Sequence, residues 1–137
     1  KSLKIDSLKA WKDLNIQEEG KAFAGTAVYT TAFNVDKVNP KLHYTLDLGK
    51  VEMIATVTLN GEKLRTLWTT PYSVDLGGFI KNGKNILKVE VTSSWFNRLV
   101  YDASQPEIQR KTWTINGPKQ DSPLRDNGLL GPVVLKY

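Results

Sequence analysis

The chain of 137 residues has no cysteine, one histidine and one methionine. Without cysteine there are no disulfides, no thiol nucleophile and no thiolate-ligated zinc. The compartment stays open, because a sizeable sandwich core needs no disulfide. The sole histidine, His43, sits in the strand-like run HYTLDL. Any Ser-His-Asp arrangement or imidazole metal site would have to use it. Its place in the alternation makes it an outward-facing polar residue, so histidine-based catalysis is not expected. No run of about 20 apolar residues occurs, so no spanning helix and no membrane insertion are expected. No signal peptide is visible, and the chain opens on Lys1, as a processed protein or an excised fragment would. The net charge is +5. Lys1, Lys4, Lys9, Lys12, Lys41, Lys50 and Lys63 are scattered rather than gathered in a tract. Such a pattern reads as a solvated surface, not a nucleic-acid interface. A long apolar repeat of helical period is also missing.

Period-two alternation is abundant. Leu42, Tyr44, Leu46 and Leu48 share one face of KLHYTLDLG. Val51, Met53, Ala55, Val57 and Leu59 share one face of VEMIATVTLNG. Leu87, Val89 and Val91 do so in NILKVEVTS, Tyr29, Phe33 and Val35 in TAVYTTAFNV, and Tyr72, Val74 and Leu76 in PYSVDLGG. Strands of this kind bury one side and solvate the other, as in antiparallel sheets. Four Asn-Gly pairs, at 60–61, 82–83, 116–117 and 127–128, mark turns, because both residues tolerate positive φ. LNGEKLRTLW reads as a hairpin around the first. SLKAWKDL reads as either one helical turn or an irregular strand, and VVLKY as a closing strand. The pattern predicts one all-β domain over residues 1–137, an antiparallel β-sandwich or jelly roll.

Residues 93–131 break the alternation and are dense in Pro and Gly. The segment reads as a long functional or partner-packed loop. It begins with SWFNRLVYDA, where aromatics lie among Asn97, Arg98 and Asp102. Aromatic faces suit sugar C–H surfaces, and Asn, Arg and Asp hydrogen-bond hydroxyls. Trp68, Trp95, Tyr101 and Trp113, at loops or strand ends, are the aromatic candidates for carbohydrate contact or a domain interface. Glycosidase chemistry needs a positioned carboxylate pair. Among 14 acids none is singled out, and Glu52, Asp75 and Glu90 read as surface residues, so no catalytic residue is assigned. No metal ligand set is assigned and no cofactor is expected. Asp121, Asp126 and Asn127, in KQDS and RDNG, offer oxygens to a structural calcium ion, although the twelve-residue calcium-loop pattern is absent.

FAGTAVYTTAFNV, LDLGKVEMIATVTLNGEKLRTLWTTPYSVDLGGFIKNGKNILKVEVTSSW and GLLGPVVL, in that order, resemble the sugar-binding jelly-roll domain of family 2 glycoside hydrolases. WFNRLVYD, TWTINGP and SPLRDNGLLGPV look like the C-terminal jelly roll of family 106 α-L-rhamnosidases and related proteins. The resemblance implies a galactose-binding-like fold without catalytic residues of its own. It implies a fragment of a secreted or periplasmic bacterial polysaccharide-degrading enzyme, partnered by the catalytic domain of the same chain. Asn60-Gly61, Gly25 and Tyr29 match structural positions of the family. Trp95, Asn97, Arg98 and Asp102 match its W-NRL--D stretch, whose loop in family 2 enzymes approaches the catalytic barrel. On that resemblance Arg98 would pair with a carboxylate or bridge to the barrel, Asp102 would be its partner, Trp95 an apolar anchor and Asn97 a donor and acceptor. An autonomous lectin-like module and a small stand-alone enzyme are the rival readings.

Overall fold

A computed structural model describes residues 2–137. Nine strands form: β1 (Thr26–Val35), β2 (Thr45–Asp47), β3 (Lys50–Glu52), β4 (Ile54–Leu59), β5 (Glu62–Leu67), β6 (Ser73–Asp75), β7 (Gly83–Thr92), β8 (Gly128–Gly131) and β9 (Val134–Lys136). One sheet runs β1-β7-β4-β5, a second β6-β2-β9, and β3 pairs with β8. Every strand pairing is antiparallel. The fold is an antiparallel β-sandwich, as the alternation predicts. Two short helices, α1 (Glu18–Lys21) and α2 (Phe96–Ala103), and three 3₁₀ turns complete it.

The core is built from the alternating residues. Leu46, Leu48, Val51, Ala55, Val57, Leu59, Val74, Leu76, Leu87, Val89 and Val91 are buried in one cluster. Tyr29, Phe33 and Val35 of β1 pack partly buried against it. Two members of the expected faces fall outside: Leu42 and Met53 are exposed. Leu42 precedes β2, and Met53 lies between β3 and β4, where the chain leaves one pairing for another.

Of the four Asn-Gly pairs, only Asn60-Gly61 closes a hairpin between paired strands. Asn60 and Gly61 have φ of 53° and 89°, the paired positive values that a two-residue β-turn needs. Asn60 also ties the turn inward: its Nδ2 donates to the Asn85 Oδ1 at 2.9 Å, and its Oδ1 accepts the Ile86 N–H at 2.9 Å. Asn82-Gly83 and Asn127-Gly128 instead lead into β7 and β8, and Asn116-Gly117 lies in an irregular bend.

The N-terminal segment resolves as a 3₁₀ turn, Trp11–Asp13. Trp11 is buried, and its indole N–H donates to the Tyr29 hydroxyl at 2.6 Å. That hydroxyl also accepts the Leu129 N–H at 3.2 Å. Gly128 lies against this junction with φ of 109°. A Cβ there would stand 2.5 Å from Trp11 Nε1 and 2.8 Å from the Tyr29 oxygen. One tryptophan thus joins the N-terminal segment, β1 and β8.

Candidate functional site

Residues 93–131 are not one long loop. Within SWFNRLVYDA, Phe96–Ala103 folds into α2. The helix lasts two turns, and Arg98 and Asp102 are its i, i+4 pair, the spacing that stacks side chains on one helical face. Arg98 Nε donates to Asp102 Oδ2 at 3.2 Å, and Nη2 makes a close ionic contact of 2.9 Å with Oδ1. Arg98 and Asp102, the pair that the resemblance implies, therefore meet each other within the chain.

Asp102 is fully buried and serves as a hub. Its Oδ2 accepts the backbone N–H of Lys111 at 3.1 Å, the backbone N–H of Thr112 at 2.7 Å and the Thr112 hydroxyl at 2.7 Å. Burial pushes the Asp102 carboxyl up, but hydrogen bonds from Arg98 and Thr112 and the Arg98 charge outweigh it, leaving it below the usual aspartate value. For Arg98 burial acts downward, while its bonds to Asp102 and Glu19 hold the guanidinium above its ordinary value. Arg98 Nη1 reaches Glu19 of α1 at 3.1 Å, and Lys111 Nζ reaches the same oxygen at 2.9 Å. Those two hydrogen bonds, Lys111 foremost, hold Glu19 below the usual glutamate value. The network links α1, α2 and the chain that follows α2.

Asn97 is also fully buried. Its Nδ2 donates to the Arg125 carbonyl at 2.8 Å, and its Oδ1 accepts the Arg125 N–H at 2.8 Å. A side-chain amide used this way on both sides replaces a strand partner for an otherwise unpaired backbone. Arg125 in turn places its guanidinium 3.7 Å from the centre of the Phe96 ring. Tyr101 lies under Arg98, with the guanidinium 5.3 Å from its ring centre. Asn97, Arg98, Tyr101 and Asp102 are thus brought together, but as an internal brace.

The tryptophans behave otherwise. Trp68, Trp95 and Trp113 are 75%, 59% and 76% exposed. Trp95 is the residue before α2. Trp113 follows the Asp102-bound Thr112 and borders an open cleft of about 330 Å³ with Glu107, Arg110, Lys111 and Thr112. Trp11, absent from the expected site, is the buried one. The spacing of Arg98 and Asp102 was the available signal for α2. Nothing in the local pattern marks Thr112 or Glu19 as members of its network.

Of the oxygens offered to calcium, those of Asp126 face two lysines. Asp126 lies 3.3 Å from Lys12 Nζ and 2.9 Å from Lys50 Nζ. The hydrogen bond from Lys50, then that from Lys12, lowers its pKa, and Asp126 raises that of Lys50 in turn. Asn127 is buried, with its backbone carbonyl accepting the Trp11 N–H at 2.9 Å. Among the described residues no group of three or more His, Cys, Asp or Glu side chains is placed to hold a metal ion. His43 is exposed, and its Nε2 lies 3.2 Å from Asp75 Oδ2.

The buried Asn85, Asn97 and Asp102 side chains all bond within the chain. Residues 9–128 match the family described as glycosyl hydrolase 2 galactose-binding domain-like, and the chain belongs to that family. It is 38% identical, over 96% of its length, to a Formosa agariphila protein named "putative beta-glucuronidase", of which it covers 13%. Among solved structures it is similar to a rhamnosidase from Novosphingobium sp. PP1Y: TM-score 0.84, 32% identity, 93% of this chain and 12% of that one. A Ruminococcus gnavus beta-glucuronidase shares the fold at TM-score 0.57 and 19% identity, over 63% of this chain and 15% of that one. The chain therefore spans about an eighth of the length of these glycoside hydrolases. No helix among the described residues is long and apolar enough to cross a membrane.

Proposed function

We propose that this chain is a non-catalytic accessory β-sandwich of a polysaccharide-degrading glycoside hydrolase, supporting the catalytic domain of the same polypeptide outside the cytoplasm. The observation that carries the reading is proportion: the family domain fills nearly all of this chain and about an eighth of the hydrolases it matches. The brace is consistent with it. A hydrolytic site needs carboxylates open to substrate, whereas Asp102 is buried and accepts four hydrogen bonds from Arg98, Lys111 and Thr112.

The purified chain is expected to hydrolyse none of a broad panel of aryl glycosides. Removal of these residues from a parent hydrolase is expected to lower its stability and yield. Turnover by the isolated chain would overturn the reading. A second reading, carbohydrate binding, is favoured by Trp113 at the edge of its cleft. Calorimetric titration of the isolated chain with rhamnose- and galactose-containing polysaccharides tests it.

A further inference from the structure

Ile108, Trp113 and Ile115 are 94%, 76% and 83% exposed. A single exposed apolar residue is ordinary. Three large ones within eight positions of one short segment are not, because each leaves apolar area in water that folding would otherwise remove. Neither is the segment a loose loop. Glu107–Gln109 forms a 3₁₀ turn. Arg110 Nε donates to the Gln105 carbonyl at 2.8 Å. Lys111 and Thr112 are held by the buried Asp102. A buried carboxylate thus fixes the backbone on either side of which the apolar groups are displayed.

We infer that the segment from Ile108 to Ile115 is the face that docks onto the catalytic portion of the parent hydrolase. The inference rests on the accessory reading and names its surface. Sugar recognition explains Trp113 but gives the two isoleucines no role. The cations beside the cleft are already engaged: Lys111 with Glu19, and Arg110 with the Gln105 and Ala103 carbonyls. Exposed apolar groups interleaved with Arg110 fit a protein interface, where aromatic and Arg residues are enriched. In the matched hydrolases the partner is at hand, since about seven-eighths of their chain lies outside this domain.

Hydroxyl-radical footprinting tests this on two samples, the isolated chain and the full-length parent, each with the same dosimeter peptide. Oxidation of Ile108, Trp113 and Ile115 is expected to slow by about fivefold or more in the parent, as for side chains entering a packed interface core. Equal rates in the two samples overturn the inference. So does protection of the isolated chain by oligosaccharide alone, which would make the face a sugar site, or by raised protein concentration, which would make it a self-contact. Ile108→Ser with Ile115→Ser gives a second measurement: the parent's melting temperature should fall while that of the isolated chain stays. Hydrolysis by the isolated chain would instead defeat the accessory reading, and it is read in a separate assay.

Discussion

Asp102 and Thr112 lie ten positions apart and meet twice at 2.7 Å, through the threonine backbone N–H and its hydroxyl. The contact fastens the end of α2 to the segment that carries Trp113. Removing one partner of a buried charge pair costs about 3–5 kcal/mol. Because Arg98 keeps Glu19, Asp102→Ala is expected near the lower end, about 3 kcal/mol. Urea denaturation measures it. Thr112→Val, which loses only the hydroxyl, is expected to cost about 1 kcal/mol. A smaller effect for Asp102 than for Thr112 would contradict the hub.

The carboxyls predict an acid limb. Glu19, Asp47, Asp102 and Asp126 all lie below their usual values in the folded state. A depressed carboxyl contributes stability that is complete above its unfolded pKa, about 3.9 for Asp and 4.3 for Glu, and is lost as pH falls through the folded value. Their contribution is therefore level from pH 7 to about 5 and declines below about 4. Urea midpoints at stepped pH should show this, and Asp102→Asn should flatten the decline. Salt at about 1 M should weaken the exposed Asp126 pairs more than the buried Asp102. A midpoint that rises from pH 5 to 3 would refute the assignment.

The strands were legible because burial on one face writes itself as alternation, and Leu46, Val57, Val89 and Leu76 all fall where it places them. The helix left one trace, the i, i+4 spacing of Arg98 and Asp102. Its eight residues are too few for a sustained period, and no side chain caps its start. Its buried face carries Asn97 and Asp102 rather than apolar residues alone, so polarity there looked like a surface. Whether Arg98 and Asp102 would face each other depended on α2 forming. Whether they would be covered depended on Thr112 and Glu19, contacts 10 and 79 positions away, beyond any local pattern. Exposure of three tryptophans ran against the residue's usual burial.

Asn97 gives a separable test, since its amide bonds the backbone of Arg125 in both directions. Asn97→Ala leaves a buried donor and acceptor unpaired and is expected to cost about 2–4 kcal/mol in all. Asn97→Asp keeps the shape and the acceptor but loses the donor to the Arg125 carbonyl. It should be destabilising at neutral pH and recover partly in acid, where the protonated carboxyl can donate. Hydrogen exchange should show the Arg125 amide opening faster in both variants. An unchanged rate would mean that the clamp is not what holds this stretch.

Gly128 tests the junction at Trp11. Its φ of 109° disfavours any side chain, and a Cβ would meet the Trp11 indole nitrogen at 2.5 Å. Backbone strain costs about 1–3 kcal/mol and overpacking about as much again. Gly128→Ala is thus expected to destabilise by about 2 kcal/mol or more, with a shift in tryptophan fluorescence as the Trp11–Tyr29 bond is disturbed. A variant as stable as the parent sequence would show that β8 moves aside freely.

The four tryptophans divide by burial, so substitution should divide them too. Trp11→Ala removes a buried ring and its hydrogen bond to Tyr29 and is expected to cost about 3–5 kcal/mol. Trp68→Ala, Trp95→Ala and Trp113→Ala remove rings that mostly face water and should each stay within about 0.5 kcal/mol of the unsubstituted chain. Stability being preserved, the three can be used to read function without confusion from unfolding. If the isolated chain binds a polysaccharide through aromatic stacking, Trp113→Ala should lose most of the affinity, because Trp113 alone of the three borders a cleft with polar side chains. If all three variants bind as the unsubstituted chain does, stacking plays no part. Reduced stability of the full-length parent with Trp113→Ala, alongside an unchanged isolated chain, would then place that ring at a protein seam.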